Sequence, residues 1–208
     1  LVIENIIPLS KTGGVLHICM VRKKNKLFFF ILFFILMDKE TTPGITVIFG
    51  KRLTGKTTKA KEIIKYSANP EQKIYVAIPE AHIEEYKKTA EFPFDTHVYD
   101  LSGTLKMGGV SDMMKTFIQN GLKEQEGTRY VIIDNGHFLE NFPDLTIFSQ
   151  IYNVRFIVTY QDIFSLFDLD CADIVYGMSL STERDRRGLK LRLGLDMDDT
   201  VTYFKFKK

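Results

Sequence analysis

The chain has 208 residues, of which 45% are hydrophobic and 26% charged, and its formal net charge is +2. This length suits one domain with a core of its own. Its two cysteines, Cys19 and Cys171, are too few for a disulfide framework or a four-cysteine zinc site within one chain, so we expect a reducing, cytoplasmic environment. The small net charge does not indicate a basic nucleic-acid-binding surface over the whole molecule.

The first predicted unit is an N-terminal extension, residues 1–36, which ends in the apolar run 27–36. A basic stretch precedes this run, as in a signal peptide or membrane anchor, but a spanning helix needs about 20 apolar residues and the run is shorter. We interpret the extension as translated upstream sequence and expect the domain, residues 37–208, to start at Met37. A membrane contact is expected only if residues 27–36 are genuine. Residues 1–36 hold five basic groups and one acidic group, so without them the net charge is −2.

A buried-strand pattern at residues 45–49 leads directly into a glycine-rich loop. Gly50, four variable residues, Gly55, Lys56 and Thr57 occupy the positions of a phosphate-binding P-loop. The glycines let backbone N–H groups point at phosphate oxygens, Lys56 reaches the β and γ phosphates, and Thr57 offers its hydroxyl to Mg²⁺. A helix predicted over 56–66 aims its positive end at the same anion. The pattern therefore predicts bound ATP and Mg²⁺.

The predicted nucleotide-binding residues are Gly50, Lys51, Arg52, Leu53, Thr54, Gly55, Lys56, Thr57 and Thr58. Beyond them, apolar runs alternate with helical patterns, which indicates an α/β fold, a three-layer sandwich around a mostly parallel sheet. Further strands are predicted over residues 73–78, 96–99, 129–134, 154–160 and 172–177.

Two helices are predicted between these strands. The first, residues 80–92, looks exposed, with paired charges that include Glu84 and Glu85. The second, residues 111–123, has an apolar side that we assign to the core. Residues 187–208 alternate apolar and polar side chains and predict a C-terminal hairpin, with a basic helix as the alternative for its first half.

Polar residues at two strand ends are candidate catalytic residues, because open parallel sheets bind ligands at their carboxyl edges. Asp134 ends an apolar strand, where a carboxylate can hold Mg²⁺ through water in the Walker B role; a strand-end helix cap is the alternative. Gln161 follows strand 154–160, and its amide could sense the γ phosphate or orient the attacking water; it could equally be a turn former. With Lys56, these two residues form the predicted catalytic set.

The residue after Asp134 departs from the usual pattern. Hydrolysing P-loop proteins commonly have a glutamate there, whereas this chain has Asn135, and an amide can orient water but cannot accept its proton. Either Glu140 or His137 replaces the acid, or turnover is slow.

Three arginines near the C-terminus, Arg184, Arg186 and Arg187, are candidates for a finger that stabilises phosphoryl charge. A solvated charged turn, formed with Glu183 and Asp185, explains them equally well. The sequence does not choose among them.

Four segments resemble the viral genome-packaging ATPases of the FtsK/HerA class: residues 47–58, 73–79, 130–134 and 156–161. The resemblance covers about residues 44–180. It implies an ATP hydrolase that translocates double-stranded DNA as a homo-oligomeric ring, in the host cytoplasm or the virion. It also implies that Asp134 binds Mg²⁺ and that Gln161 is the sensor. Two features depart from the family: Asn135, and residues 150–153 where the family often has a basic pair.

Two other functions stay open. Residues 132–139 are similar to the Asp-Glu-Ala-Gln-Phe segment of thymidine kinases, which implies a nucleoside kinase. That family generally has a four-cysteine zinc lasso, for which Cys171 alone remains after Met37. A nucleotide-binding switch or assembly protein without useful turnover would fit Asn135. Fold analogy does not separate these functions.

Overall fold

In a computed structural model of the chain, the described residues are 4–8, 15–19, 40–103, 109–136, 143–161, 171–178, 183–195 and 203–207. The strands in these ranges are β1 (Glu4–Pro8), β2 (Val15–Cys19), β3 (Gly44–Gly50), β4 (Ile74–Ile78), β5 (Thr96–Asp100), β6 (Arg129–Ile133), β7 (Val154–Tyr160), β8 (Ile174–Met178) and β9 (Tyr203–Lys207). The α-helices are α1 (Lys56–Ser67), α2 (Val110–Gln119), α3 (Pro143–Tyr152) and α4 (Glu183–Leu193). A 3-10 helix, Glu80–Tyr86, follows β4.

All of these strands join one sheet in the order β1-β2-β9-β8-β3-β7-β6-β4-β5. The strands from β8 to β5 are parallel, and β9, β2 and β1 add antiparallel neighbours at the other side. The prediction of a mostly parallel sheet is confirmed. Because β3, β6 and β7 run in the same direction, the segments that follow them start at the same edge of the sheet.

Helices cover both faces of the sheet. On one face α1 and the 3-10 helix pack on a core that includes Ile48, and on the other face α2, α3 and α4 pack on a core that includes Val47 and Phe49. Successive side chains of a strand point to opposite faces, so a strand buried on both faces must be apolar throughout, as β3 largely is. The predicted three-layer sandwich is therefore confirmed.

A buried acid, Glu40, fixes the segment that enters β3. The Oε2 atom of Glu40 accepts a hydrogen bond from Thr46 Oγ1 at 2.5 Å, and its Oε1 atom accepts one from the Tyr176 hydroxyl at 2.8 Å. The Tyr130 hydroxyl donates to the backbone oxygen of Glu40 at 3.0 Å. Since β3 ends at the glycine-rich loop, this cluster holds the strand that carries the loop.

Glu40→Ala is expected to lower the free energy of unfolding by about 2–4 kcal/mol, because two buried hydroxyl groups lose their acceptor. Urea denaturation followed by circular dichroism measures the change. Glu71→Ala is the matched control: Glu71 is an exposed acid, and its substitution should leave the midpoint in place. Equal midpoints for the two variants would contradict the structural role of Glu40.

The predicted C-terminal hairpin is wrong. Its first half belongs to α4, and β9 pairs antiparallel with β8 instead. Acidic residues in the first turn of α4 and basic residues in its last turn, Lys190 and Arg192, complement the helix dipole. The alternation of leucines resembled a strand, but Leu189 is buried while Leu191 is 73% exposed. The predicted alternative, a basic helix, is the one that forms.

Other elements differ in extent. The helix predicted over residues 80–92 is a 3-10 helix that ends at Tyr86, whose side chain is fully buried against Phe92. Helix α3 was not predicted.

The N-terminal extension contains two strands of the sheet, β1 and β2, which both precede Met37. The apolar run 27–36 lies outside the described residues, so the domain boundary at Met37 stays a prediction. Within the described ranges, every helix is too short or too polar to span a bilayer.

Candidate active site

The glycine-rich loop between β3 and α1 has the shape that its glycines allow. A Cβ atom on Gly50 would lie 2.4 Å from the backbone oxygen of Met178. This oxygen cannot move aside as the end of a flexible side chain could, so position 50 requires glycine. Gly55 has a φ of +86°, in the left-handed region, and is the N-cap of α1 without a side-chain cap. The first N–H groups of α1 therefore remain available to an anion.

Lys56 opens α1 and is 9% exposed. Its Nζ atom donates to the backbone oxygen of Lys51 at 2.7 Å, an oxygen that also accepts from Thr54 Oγ1 at 2.9 Å. Burial lowers the pKa of the Lys56 ammonium group, nearby Asp134 opposes this shift, and Arg52 adds to it. A desolvated cation held by a neutral carbonyl would gain a stronger, charge-assisted bond from a phosphate oxygen.

Asp134 directly follows β6 and is 5% exposed. Its Oδ2 atom accepts hydrogen bonds from Thr57 Oγ1 at 2.8 Å and from the Tyr86 hydroxyl at 2.9 Å, and its Oδ1 atom accepts one from Thr159 Oγ1 at 2.5 Å. Burial, reinforced by the Asp134 charge, raises the pKa of Tyr86 well above its usual value, so this hydroxyl stays a donor. One carboxylate thus connects the loop, the 3-10 helix and β7.

The chain turns sharply after Asp134. Asn135 has a φ of +71°, and its backbone N–H donates to Thr159 Oγ1 at 3.0 Å. Asparagine adopts the left-handed region more readily than most residues, so Asn135 suits this turn better than a glutamate would. A Cβ atom on Gly136, the next residue, would lie 2.5 Å from Val158 Cγ1. A side chain at position 136 would therefore fit only if Val158 shifted.

The pair formed by Thr57 and Asp134 fits a magnesium ion. A hydroxyl and a carboxylate are hard oxygen ligands, and Mg²⁺ is usually held by one or two carboxylates together with phosphate oxygens and water. In the described part of the chain, no group of three histidine, cysteine or acidic side chains could hold a metal on its own. The residues present therefore suit an ion that is bound together with a nucleotide.

A cavity of about 420 Å³, which we call the loop cavity, opens at this edge of the sheet. The predicted site residues Gln161, which follows β7, and Asp134 both line it. The full lining is Arg52, Leu53, Thr54, Gly55, Lys56, Thr57, Thr58, His82, Glu85, Asp134, Asn135 and Gln161. The structure thus brings the predicted catalytic set together, while the role of each residue stays a prediction.

Two lining residues, His82 and Glu85, were missed. The charge pattern predicted that Glu85 lies on an exposed helix over residues 80–92, whereas it belongs to the 3-10 helix after β4. The signal that could have found it is the rule already applied to Asp134 and Gln161, since β4 also ends at this edge of the sheet.

Other predicted residues lie elsewhere. Arg184 and Arg187 line a separate cavity of about 530 Å³ on α4, and among the described residues neither borders the loop cavity. Arg186 is on the same helix. His137 and Glu140 lie outside the described residues, so their substitution for the missing acid stays a prediction.

No protein-family model matches the sequence, and no curated protein matches it. Solved structures do match the fold. The genome packaging NTPase B204 from Sulfolobus turreted icosahedral virus 2, in complex with AMPPCP, is 15% identical with a TM-score of 0.51, covering 71% of this chain and 81% of that chain. The same protein in complex with ATP-gammaS is 13% identical with a TM-score of 0.52, covering 80% of this chain and 97% of that chain.

The likeness covers most of both chains rather than one motif. At this level of identity it establishes the fold alone. The chain has a P-loop NTPase fold, and its structural neighbours include a viral genome packaging NTPase.

Proposed function

We propose that the chain binds ATP with Mg²⁺ in the loop cavity and hydrolyses it. The observation that carries the proposal is the hydrogen bond between Thr57 and Asp134, which joins the glycine-rich loop to the end of β6. Lys56, buried beside them, supplies the positive charge that a phosphate requires. The likeness to a protein solved with two ATP analogues supports the same ligand.

Each residue has a proposed role in this reaction. Residues 50–58 wrap the phosphates, Lys56 contacts the β and γ phosphates, and Thr57 and Asp134 hold the ion. Bound Mg²⁺ would offset negative charge on the phosphate oxygens. Gln161, directly after β7, orients the attacking water or senses the γ phosphate.

We further propose that hydrolysis drives translocation of double-stranded DNA, with the chain acting as a homo-oligomeric ring in a host cytoplasm or a virion. The support is the resemblance of four sequence segments to packaging ATPases, together with the likeness to B204. Because the net charge is only +2, the contact with DNA must come from a local basic patch of each subunit.

ATP turnover measured with and without long double-stranded DNA tests this function. A motor is expected to hydrolyse ATP faster when long double-stranded DNA is present. Short duplexes and single strands at equal nucleotide concentration are the controls for non-specific charge. Phosphate transfer to an added nucleoside would instead indicate a kinase, and tight ATP binding without turnover would indicate a switch.

A further inference from the structure

The loop cavity contains a carboxylate that the proposed ATP site has not yet used. Among the described residues that line the cavity, the carboxylates are Asp134 and Glu85. Asp134 is buried, and its two oxygens already accept three hydrogen bonds. Since Asp134 is the proposed ligand of Mg²⁺, Glu85 is the remaining acid of the described lining that can receive a proton.

The backbone of Glu85 is held in place from both sides. The backbone N–H of Glu80, at the start of the 3-10 helix, donates to Asp100 Oδ1 at 2.9 Å. At the end of this helix, the Tyr86 hydroxyl reaches Asp134, and the backbone oxygen of Tyr86 accepts from Thr96 Oγ1 at 3.0 Å. The Lys61 ammonium group donates to the backbone oxygen of Glu85 itself. Glu85 thus precedes a residue that touches the proposed magnesium-binding carboxylate.

The side chain of Glu85 has the accessibility that Asp134 lacks. It is 46% exposed, so water can reach it in the absence of nucleotide. His82 Nδ1 lies 2.9 Å from Glu85 Oε1, a contact that limits the rotation of the carboxylate. Both side chains line the loop cavity.

We propose that Glu85 is the general base of ATP hydrolysis, in place of the acid that Asn135 does not provide. The proposal rests on the ATP hydrolysis proposed above. The water oxygen forms a bond to the γ phosphorus while the bond from that phosphorus to the bridging oxygen breaks. The electron pair of the broken bond leaves with ADP, and the proton of the water passes to the Glu85 carboxylate. A positioned carboxylate typically contributes about 10²-fold to 10⁴-fold to such a step.

Glu85→Gln tests this role, because glutamine keeps the shape of the side chain and cannot accept the proton. The matched control is Glu84→Gln: the neighbouring Glu84 is 74% exposed and pairs with Lys87. Two readouts are needed, the equilibrium affinity for ATP with Mg²⁺ and the rate of single-turnover hydrolysis. Glu85→Gln should bind ATP within about twofold of the unmodified protein and hydrolyse it about 10²-fold to 10⁴-fold more slowly. Nucleotide extracted from this variant should remain ATP, and Glu84→Gln should match the unmodified protein.

The outcomes separate this proposal from the one on which it rests. A hydrolysis rate unchanged in Glu85→Gln overturns the general base and leaves the ATPase intact. Loss of ATP affinity in Glu85→Gln, with its circular dichroism spectrum unchanged, overturns it as well, because the residue would then shape the site. An unmodified protein that does not hydrolyse ATP overturns the proposed function. Glu85→Asp provides a second variant: it retains the carboxylate and should lose less of the rate than Glu85→Gln, and equal losses would contradict the proposal.

Discussion

Replacing Lys56 by alanine is expected to abolish tight ATP binding while the fold persists. Removing one partner of a desolvated charge pair costs about 2–5 kcal/mol, which corresponds to a dissociation constant raised roughly 30-fold to several thousand-fold. The fold should tolerate the change, because burial lowers the pKa of Lys56 and its charged form is thus disfavoured in the folded protein. Titration with a fluorescent ATP analogue measures the affinity.

The stability of Lys56→Ala without nucleotide shows whether the variant still folds. A lysine whose pKa is lowered by folding destabilises the folded state at pH values below its folded pKa, so the variant should unfold at the same or a slightly higher urea concentration. Lys65→Ala, at the exposed end of the same helix, is the control and should keep its ATP affinity. Unchanged affinity in Lys56→Ala would remove the assignment of this loop as the phosphate site.

Replacing Asp134 by asparagine is expected to uncouple ATP binding from Mg²⁺. Asparagine has nearly the same shape and keeps one acceptor oxygen, so the hydroxyl groups of Thr57, Tyr86 and Thr159 can reorient around it. The charge that attracts the ion is lost, however, and a bound metal typically contributes several kcal/mol of charge stabilisation, or about 10²-fold or more in hydrolysis. The affinity for ATP, measured with Mg²⁺ and with a chelator, should become nearly equal.

Asp95→Asn serves as the control for this experiment, because Asp95 is an exposed acid paired with Lys88 at 3.0 Å, away from the loop cavity. It should retain the full dependence on Mg²⁺. If Asp134→Asn also retains that dependence, Asp134 does not hold the ion, and the alternative role, a strand-end helix cap, would stand.

Much of the fold could be predicted because its signals are local. Strand β7 has the bounds that its apolar run predicts, and α1 differs by one residue from its prediction. The glycine pattern likewise places Lys56 and Thr57 at the start of a helix. Parallel strands order their carboxyl ends along one edge, so Asp134 and Gln161 could be assigned to one cavity without knowledge of any contact.

The parts of the fold and of the candidate site that could not be predicted depend on contacts between distant segments of the chain. Glu85 looked like a surface charge because the residues around it are charged, whereas in the structure the buried Tyr86 beside it donates a hydrogen bond to Asp134. In α4, alternating leucines favoured a strand, whereas the distribution of charge along the segment and the burial of Leu189 favour a helix. Neither result follows from the period of the apolar residues alone.

The turn after Asp134 limits how this chain could be engineered or could evolve towards faster hydrolysis. A glutamate introduced at Asn135 would have to adopt a left-handed backbone, at a cost of about 1–2 kcal/mol. The same turn holds Gly136 so close to β7 that an added Cβ atom would lie 2.5 Å from Val158 Cγ1. A glutamate gained at this position alone would therefore lower the free energy of unfolding, so any faster hydrolysis would come with a loss of stability.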